Sequence, residues 1–273
     1  MDSVDSNLYL PRESILKIAT WNVNSVRSRL DRLVAWLGEH GPDVLCLQEL
    51  KCQEHQFPFE DIARAGYHAV MIGQKSYNGV AILSRTEPDD IKPDPGLAAP
   101  LDGDDQARLV SASVDGVRII CVYVPNGSDM TSAGYPYKLA WLDALGEMLQ
   151  QEYSPDEPLV ICGDTNIIAR DCDAANPQPW RTTGMGSQAV RDKFDELCQW
   201  GLVDVLGQKH PEGGLFSWWD YRQLGFAKNR GLRIDHILTT QTLAKKCTDA
   251  YIDRDQRKGQ KPSDHAPVIA IFE

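Results

Sequence analysis

The sequence predicts an α+β sandwich in which strands form two stacked sheets and helices pack outside them. Nine short runs rich in Val, Ile and Leu recur along the chain, whereas helical periodicity is clear in only three places. This ratio does not fit a strictly alternating parallel barrel. In addition, only Asp115-Gly116 separates Val114 from Val117, and this spacing is typical of a hairpin, so we expect antiparallel pairs as well.

Each predicted strand is bounded by Gly, Pro, Asn or Asp, as expected where apolar runs end in turns. In chain order the strands span residues 15–21, 44–47, 68–72, 80–83, 109–114, 117–124, 159–162, 233–238 and 267–272. We expect residues 1–14 to form a flexible tail, the Pro- and Asp-rich stretch 87–105 to form a long surface loop, and residues 15–273 to form a single domain.

Three helices are predicted from apolar side chains that share one helical face. The first is expected to begin after Ser25, whose hydroxyl can cap it, and to end at Gly38 or Gly41. The second spans about 137–151. The third spans about 188–200 and is closed by Gly201.

Composition narrows the class of protein. No apolar stretch in the 273 residues approaches the ~20 that a membrane helix needs. The seven cysteines lie singly in apolar runs without a CxxC pair. They are therefore expected to be buried free thiols in a cytoplasmic protein, which argues against a disulfide scaffold or a zinc finger.

The charge distribution leaves the substrate open. The net charge of −11 opposes binding to phosphates, but residues 221–261 carry ten Lys/Arg against four Asp, a local +6. That segment could form a DNA-facing surface or simply a solvated surface of mixed charge.

Acids and amides follow the apolar strands repeatedly. Asn22, Glu49 and Asp164 come at or just after strand ends, Asp264-His265 precedes the last strand, and Asp235 lies inside one. A single Asp or Asn at a strand end usually only caps a turn. Five such positions together indicate chemistry, because a buried carboxylate must be paired or must hold a cation.

The residue types indicate the chemistry. Glu49 together with Asp or Asn oxygens suits Mg²⁺, and the chain has no Cys/His spacing for zinc. His265 with Asp235 is typical of a base and the carboxylate that fixes its tautomer. Asp164 is a candidate general base or water-positioning group. No Gly-x-Ser-x-Gly elbow and no Walker A loop accompany these residues.

Together these motifs resemble the exonuclease III family of abasic-site (AP) endonucleases, within the endonuclease/exonuclease/phosphatase superfamily. The similarity extends in order over residues 15–273. It is carried by Trp21-Asn22-Val23-Asn24, Gln48-Glu49-Leu50-Lys51, Gly163-Asp164-Thr165-Asn166, Trp218-Trp219-Asp220-Tyr221-Arg222, Asn229-Arg230-Gly231-Leu232-Arg233-Ile234-Asp235 and Ser263-Asp264-His265.

The resemblance implies a four-layer α/β sandwich, with two mixed β-sheets flanked by helices and the site at one rim. It implies that Mg²⁺, or Mn²⁺ in its place, binds at Glu49 beside Asn22, with Asn24 and Asp264 contributing. Asp164, helped by Asn166, would orient or deprotonate the attacking water.

The resemblance also implies contacts to substrate. His265, paired with Asp235, would hydrogen-bond the scissile phosphate. The further substrate contacts it implies are Tyr123, Asn126, Lys51, Trp218, Arg222, Phe226 and Arg230. Of these, Trp218 and Phe226 would wall a pocket for a flipped abasic sugar, and the arginines would touch phosphates.

The implied enzyme is a monomeric DNA-repair phosphodiesterase that cleaves double-stranded DNA 5′ to abasic sites or processes 3′ ends. Two alternatives remain. One is a phosphoesterase of the same superfamily acting on an inositol phosphate or sphingomyelin. The other is a DNA-binding module without catalysis, which would require the loss of a residue such as Glu49 or Asp164. Three departures from the family pattern are Asn24 in place of Asp, Asp129 in place of a basic residue, and the polar Thr165.

Overall fold

The computed structural model describes residues 15–93 and 106–273 and contains two six-stranded sheets. The first sheet consists of β1 (Leu16–Asn22), β2 (Val44–Gln48), β3 (His68–Ile72), β4 (Val80–Ser84), β13 (Cys247–Ile252) and β14 (Val268–Phe272), in the order β13-β14-β1-β2-β4-β3. The second consists of β5 (Asp89–Pro93), β6 (Leu109–Val114), β7 (Val117–Tyr123), β8 (Leu159–Asp164), β9 (Leu202–Asp204) and β12 (Asp235–Thr240), in the order β5-β6-β7-β8-β12-β9. A short ribbon pairs β10 (Trp218–Trp219) with β11 (Gly231–Leu232).

Four helices cover the outer faces of the two sheets: α1 (Leu30–His40), α2 (Phe59–Arg64), α3 (Gly134–Glu152) and α4 (Gln188–Trp200). Two short helices, α5 (Val205–Lys209) and α6 (Gln241–Ala244), pack their buried side chains into the core between the sheets. The α1 helix packs Leu33 and Trp36 on the first sheet, while α3 and α4 pack on the second. None of the helices among the described residues has the length and apolar character to cross a membrane.

Successive side chains along a strand point to opposite faces of the sheet, and this alternation separates the layers of the core. In β1, Ile18 faces the core between the two sheets, whereas its neighbour Ala19 faces the core under α1. Burying one large apolar side chain in such a core stabilises the fold by about 1.5–3 kcal/mol. Two sheets with helices outside both faces form the four-layer sandwich, so the predicted fold is confirmed.

Parallel pairs in both sheets place strand ends at one rim. In the first sheet β1 runs parallel to β2, and in the second β7 runs parallel to β8. The antiparallel β12 begins opposite the end of β8, with Asp235 paired to Asp164. The polar residues that follow or begin these strands therefore share one edge of the molecule.

All nine predicted strands are present, and so is the hairpin. Val114 pairs with Val117, and both Asp115 (φ 49°) and Gly116 (φ 78°) adopt the left-handed conformation that such a turn needs. The third helix has the predicted bounds, and all seven cysteines are free, five of them buried.

Two predictions of local structure are only partly right. The α1 helix begins at Leu30 rather than after Ser25, because the backbone of residues 23–26 is hydrogen-bonded to residues 48–50. A 3-10 turn, Arg27–Arg29, leads into α1, and the Ser25 hydroxyl accepts from the N–H of Ser28 (3.4 Å) at its start. The predicted loop 87–105 contains β5, which pairs with β6. The rest of that loop from residue 94, and the predicted tail 1–14, lie outside the described residues.

Candidate active site

The polar residues predicted from strand ends meet at the common rim of the two sheets. Asn22 ends β1, Tyr123 ends β7 and Asp164 ends β8. Glu49 follows β2 with φ 53°, and Asn166 follows β8 with φ 50°. These left-handed residues turn the chain sharply away from the strands, so that the side chains remain at the rim.

Asn22 connects the two sheets, because it donates to one carboxylate from each. Its Nδ2 donates to Oε1 of Glu49 (3.0 Å) and to Oδ2 of Asp164 (2.9 Å). Tyr123 donates its hydroxyl to Glu49 as well (2.9 Å), and the ammonium of Lys51 lies 2.7 Å from Oε2 of Glu49. Both carboxylates are therefore held in place by donors.

The two carboxylates differ electrostatically. Burial raises the pKa of Asp164 to about 7, although the charge of His265 acts in the opposite direction. Burial would also raise the pKa of Glu49, but Lys51 and Asn22 outweigh it and hold that pKa below its ordinary value. Near neutral pH, Glu49 is thus an anion, whereas Asp164 can take up a proton. Divergent pKa values in neighbouring acids are typical of acid–base sites.

His265 is held by Asp235, as predicted. Nδ1 lies 2.9 Å from Oδ2 of Asp235, and Nε2 lies 3.7 Å from Oδ2 of Asp164. Burial opposes the charged ring, but the carboxylates of Asp235 and Asp164 outweigh it and raise the pKa of His265 to about 10. Asp235 is itself fixed by Ser217, which donates to Oδ2. The ring is therefore a buried cation aimed into the site.

Ligand atoms of Glu49, Asp164 and His265 lie within 4.8 Å of one another. A charged imidazole is not a metal ligand, which leaves two carboxylates. Mg²⁺ typically binds one or two protein carboxylates and completes its shell with water and phosphate oxygens, so this donor set fits Mg²⁺.

The other three expected ligands are engaged in hydrogen bonds. Asn22 turns its amide nitrogen toward the carboxylates, and its Oδ1 accepts from the backbone of Asn24 (3.0 Å). Asn24 accepts from Lys51 (2.6 Å) and donates to Asp264 (2.9 Å). Asp264 also accepts from the indole of Trp218 (3.1 Å). In this arrangement these residues surround the carboxylates rather than offering free oxygens.

Asn126 and Asn166 lie on the side of the site next to Asp164 and are hydrogen-bonded to each other. Asn126 donates to Oδ1 of Asn166 (3.0 Å), and the backbone N–H of Asn166 donates to Oδ1 of Asp164 (2.9 Å). Asp129, farther along the same loop as Asn126, accepts from Thr131 within its own turn.

The expected aromatic pocket is only partly assembled. Trp218 lies beside His265 through a backbone bridge and contacts Trp180, with ring centroids 6.3 Å apart. Phe226 instead packs on Trp219 at 5.2 Å, in a different cluster, so the structure does not bring Phe226 to Trp218.

The basic segment 221–261 offers less charge to a ligand than its sequence suggests. Arg222 and Arg230 are exposed, and Arg222 pairs with Asp220. Arg233 is buried between Asp173 and Asp204, and Arg257 is also buried. Two of the ten basic residues in this segment are therefore buried and do not present their charge at the surface.

Sequence reasoning missed two buried titratable residues near Asp164. Lys138, on α3, donates to the backbone oxygen of Asn166 at 2.6 Å. Its position three, four and seven residues before Trp141, Leu142 and Leu145 placed it on the apolar face of the helix, which was the available signal. His236, next to Asp235, lies 2.8 Å from the hydroxyl of Thr165. For His236 the only signal was its place in a buried strand.

The chain is similar to known proteins over most of its length. A model of the endonuclease/exonuclease/phosphatase family matches residues 19–265. Exodeoxyribonuclease III of Haemophilus influenzae is 36% identical over 270 residues, covering 94% of this chain and all of the relative.

Solved structures are similar over the same span. An AP endonuclease from Archaeoglobus fulgidus is 40% identical with a TM-score of 0.90, and the 3′ phosphatase NExo from Neisseria, bound to a product DNA hairpin, is 42% identical with a TM-score of 0.88. Each match covers 94% of this chain and 99% of the other. The family expected from the motifs is therefore confirmed, and the chain belongs to the endonuclease/exonuclease/phosphatase family.

Proposed function

We propose that this chain is a magnesium-dependent DNA-repair phosphodiesterase that cleaves DNA 5′ to abasic sites and processes 3′ ends. The observation that carries the proposal is the cluster of Glu49, Asp164 and His265 at the sheet rim, with His265 held by Asp235. It combines an anionic cation site, a carboxylate able to accept a proton and a buried positive charge. Each of the three can lower the barrier to phosphodiester hydrolysis.

Asp164 is proposed to activate the attacking water. Its pKa of about 7 lets it accept a proton near neutral pH, and Asn22 and the Asn166 amide leave it little freedom to rotate. As the water oxygen bonds to phosphorus, its proton passes to Asp164, the bond from phosphorus to the 3′-oxygen breaks, and the departing 3′-oxygen takes a proton from a solvent water. The products are a 3′-hydroxyl and a 5′-phosphate.

His265 is proposed to bind the phosphate oxygens on which negative charge accumulates. Its Nδ1–H is occupied by Asp235, so Nε2–H remains to donate to the substrate. Tyr123 and Asn126 lie on the same rim and are proposed to add donors. Burial and the charge of Glu49 raise the pKa of Tyr123 well above its ordinary value, so it keeps its proton.

Glu49 is the proposed principal ligand of Mg²⁺, and Mn²⁺ is the proposed substitute. The cation would act as a Lewis acid on the phosphate. Lys51 now neutralises Glu49 at 2.7 Å and would have to yield to the cation or share the carboxylate with it. Asn24 and Asp264 are proposed to bind the cation through water, because their own oxygens accept hydrogen bonds.

The proposed partner is double-stranded DNA with abasic sites or 3′ ends. The relatives are an exodeoxyribonuclease III, an AP endonuclease and a 3′ phosphatase, and these names support DNA over inositol phosphates or sphingomyelin. Trp218 and Trp180 are proposed to wall the abasic-sugar pocket, with Arg222 and Arg230 on the flanking phosphates. We further propose that residues 15–273 act as a single domain and as a monomer.

A substrate panel tests the proposal. Labelled duplexes carrying an abasic analogue, a recessed 3′-hydroxyl or a 3′-phosphate would be incubated with Mg²⁺, with Mn²⁺ and with a chelator. Metal-dependent nicking 5′ to the lesion is expected, together with activity on at least one 3′ end. Absence of action on all three DNAs, with hydrolysis of a small phosphoester, would overturn the proposal.

A further inference from the structure

Lys138 is a fully buried lysine that none of the proposed catalytic steps uses. It lies on the inner face of α3, with no exposed surface. Its stem is enclosed by a close backbone approach, since a Cβ at Gly127 would lie 2.9 Å from Cδ of Lys138 and 3.1 Å from Cα of Gly184. The ammonium therefore has one fixed position.

The ammonium contacts backbone and no carboxylate among the described residues. Nζ donates to the carbonyl oxygen of Asn166 at 2.6 Å and lies 3.5 Å from that of Asn126. Burial lowers the pKa of Lys138 to about 7, and the charge of Asp164 acts in the opposite direction. Burying a cation without a direct counter-ion costs free energy, so Lys138 is not expected to stabilise the folded state.

The Lys138 contact completes the hydrogen bonding of Asn166. The side chain of Asn166 donates to the backbone of Val124 (2.9 Å) and accepts from Asn126 (3.0 Å). Its N–H donates to Asp164, and its carbonyl accepts from Lys138. With φ at 50°, Asn166 adopts a backbone conformation that most residues avoid. Four hydrogen bonds therefore fix a turn whose N–H orients the Asp164 carboxylate.

We propose that Lys138 is a positioning residue that holds the Asn166 turn and thereby the Asp164 carboxylate. The inference rests on the proposed function, in which Asp164 activates water. Lys138 itself touches no reacting atom. Because misplacing a catalytic group by about 1 Å can cost on the order of 10²-fold in rate, losing this contact should affect kcat more than KM.

The test replaces Lys138 by the apolar, similarly long Met. Lys138→Met is expected to lower kcat for the abasic duplex by about 10–100-fold, with KM changed less than about threefold. Thermal stability is expected to change little, because removal of an unpaired buried charge offsets the loss of a donor to the Asn166 carbonyl. Lys138→Gln, which keeps one N–H donor, is expected to retain more activity than Lys138→Met.

Lys17→Met is the matched control, because Lys17 also donates to a backbone carbonyl, that of His40 at 2.9 Å, away from the site. Its kcat should equal that of the wild type. A kcat for Lys138→Met within twofold of wild type would overturn the proposal. The proposal would also be overturned if the loss of kcat were explained by a loss of thermal stability and Lys138→Gln were no more active than Lys138→Met.

A readout without substrate separates this proposal from the proposed function. Hydrogen exchange of the Asn166 amide should be at least about tenfold faster in Lys138→Met than in wild type, and unchanged in Lys17→Met. Inactivity of the wild type on every DNA would refute the proposed function but would not affect the hydrogen-exchange result. Unchanged exchange of the Asn166 amide in an active enzyme would refute only the positioning role of Lys138.

Discussion

Replacing Asp235 by Asn tests whether His265 acts as a buried cation. The variant keeps the shape of the side chain and can still accept the hydrogen bond from Ser217. If it does, the same oxygen can still accept from Nδ1–H of His265, as Oδ2 of Asp235 does at 2.9 Å, while the amide nitrogen replaces Oδ1 at 3.1 Å from Nδ1. The ring then keeps a hydrogen-bond acceptor but loses its main counter-charge.

The magnitude follows from the pKa of His265. Its rise from 6.5 to about 10 corresponds to roughly 5 kcal/mol in favour of the charged ring, at about 1.4 kcal/mol per pH unit. A group whose pKa is raised stays charged below that pKa and loses its charge as pH rises through it. Asp235 is the largest contributor to the rise, so Asp235→Asn should move the loss of charge to lower pH.

The assay is single-turnover cleavage of a labelled abasic duplex from pH 6 to pH 10 in saturating Mg²⁺. Asp235→Asn should be slower by about 10²-fold at pH 8, and its activity should begin to fall at least about two pH units earlier than in wild type. A cation bound at Glu49 would lower the pKa of His265 in both proteins, so the prediction concerns the difference between the two profiles.

Asp253→Asn is the matched control, because Asp253 also pairs with a histidine, His40, at 3.3 Å outside the site. Its profile should coincide with that of the wild type. A profile for Asp235→Asn parallel to the wild-type profile, merely lower throughout, would refute the reasoning that His265 acts through its charge.

Four further predictions concern the metal site, the pocket and the fold. Glu49→Gln should abolish saturable Mg²⁺ or Mn²⁺ binding in calorimetry, and wild-type affinity would contradict the ligand assignment. Trp218→Ala should reduce abasic incision at least about tenfold more than 3′-phosphate removal, and equal losses would argue against a sugar pocket. Arg233→Met leaves Asp204 without its cation and leaves the buried Asp173 paired with Arg170 alone, so it should cost about 3–5 kcal/mol in urea unfolding, whereas a cost below about 1 kcal/mol would show that the network is dispensable. Gly163 has φ 153°, and in Gly163→Ala the added Cβ would lie 1.9 Å from the carbonyl oxygen of Val122. The substitution should therefore lower the free energy of unfolding by more than about 3 kcal/mol in the same assay, and a near-neutral result would disprove this.

The strands that could be predicted are those buried in the sheets. Runs such as β8 read as continuous apolar segments because both faces are covered. The missed strands are edge strands or only two or three residues long: β5 and β13 are rich in polar residues, and β9 pairs through three residues. An edge strand can pair through its backbone without an apolar pattern, so its sequence carries little signal.

At the site, the sequence identified the residue types, but not their orientation. Glu49, Asp164, Asp235 and His265 could be found because several polar positions at or within buried strands occur together, which turn capping alone does not explain. That Asn22 would turn its amide nitrogen to the carboxylates depends on a backbone N–H two residues later. The contact of Lys138 depends on the packing of α3 against a distant turn, and no local pattern encodes it.

The most direct test of the account is cleavage of a duplex with one abasic analogue by wild type and Asp164→Asn, each with Mg²⁺ and with a chelator. The account predicts a nick 5′ to the lesion that requires Mg²⁺ and is at least about 10²-fold slower in Asp164→Asn, because Asn cannot accept the proton of water. Nicking by Asp164→Asn at the wild-type rate, or nicking that survives the chelator, would contradict it.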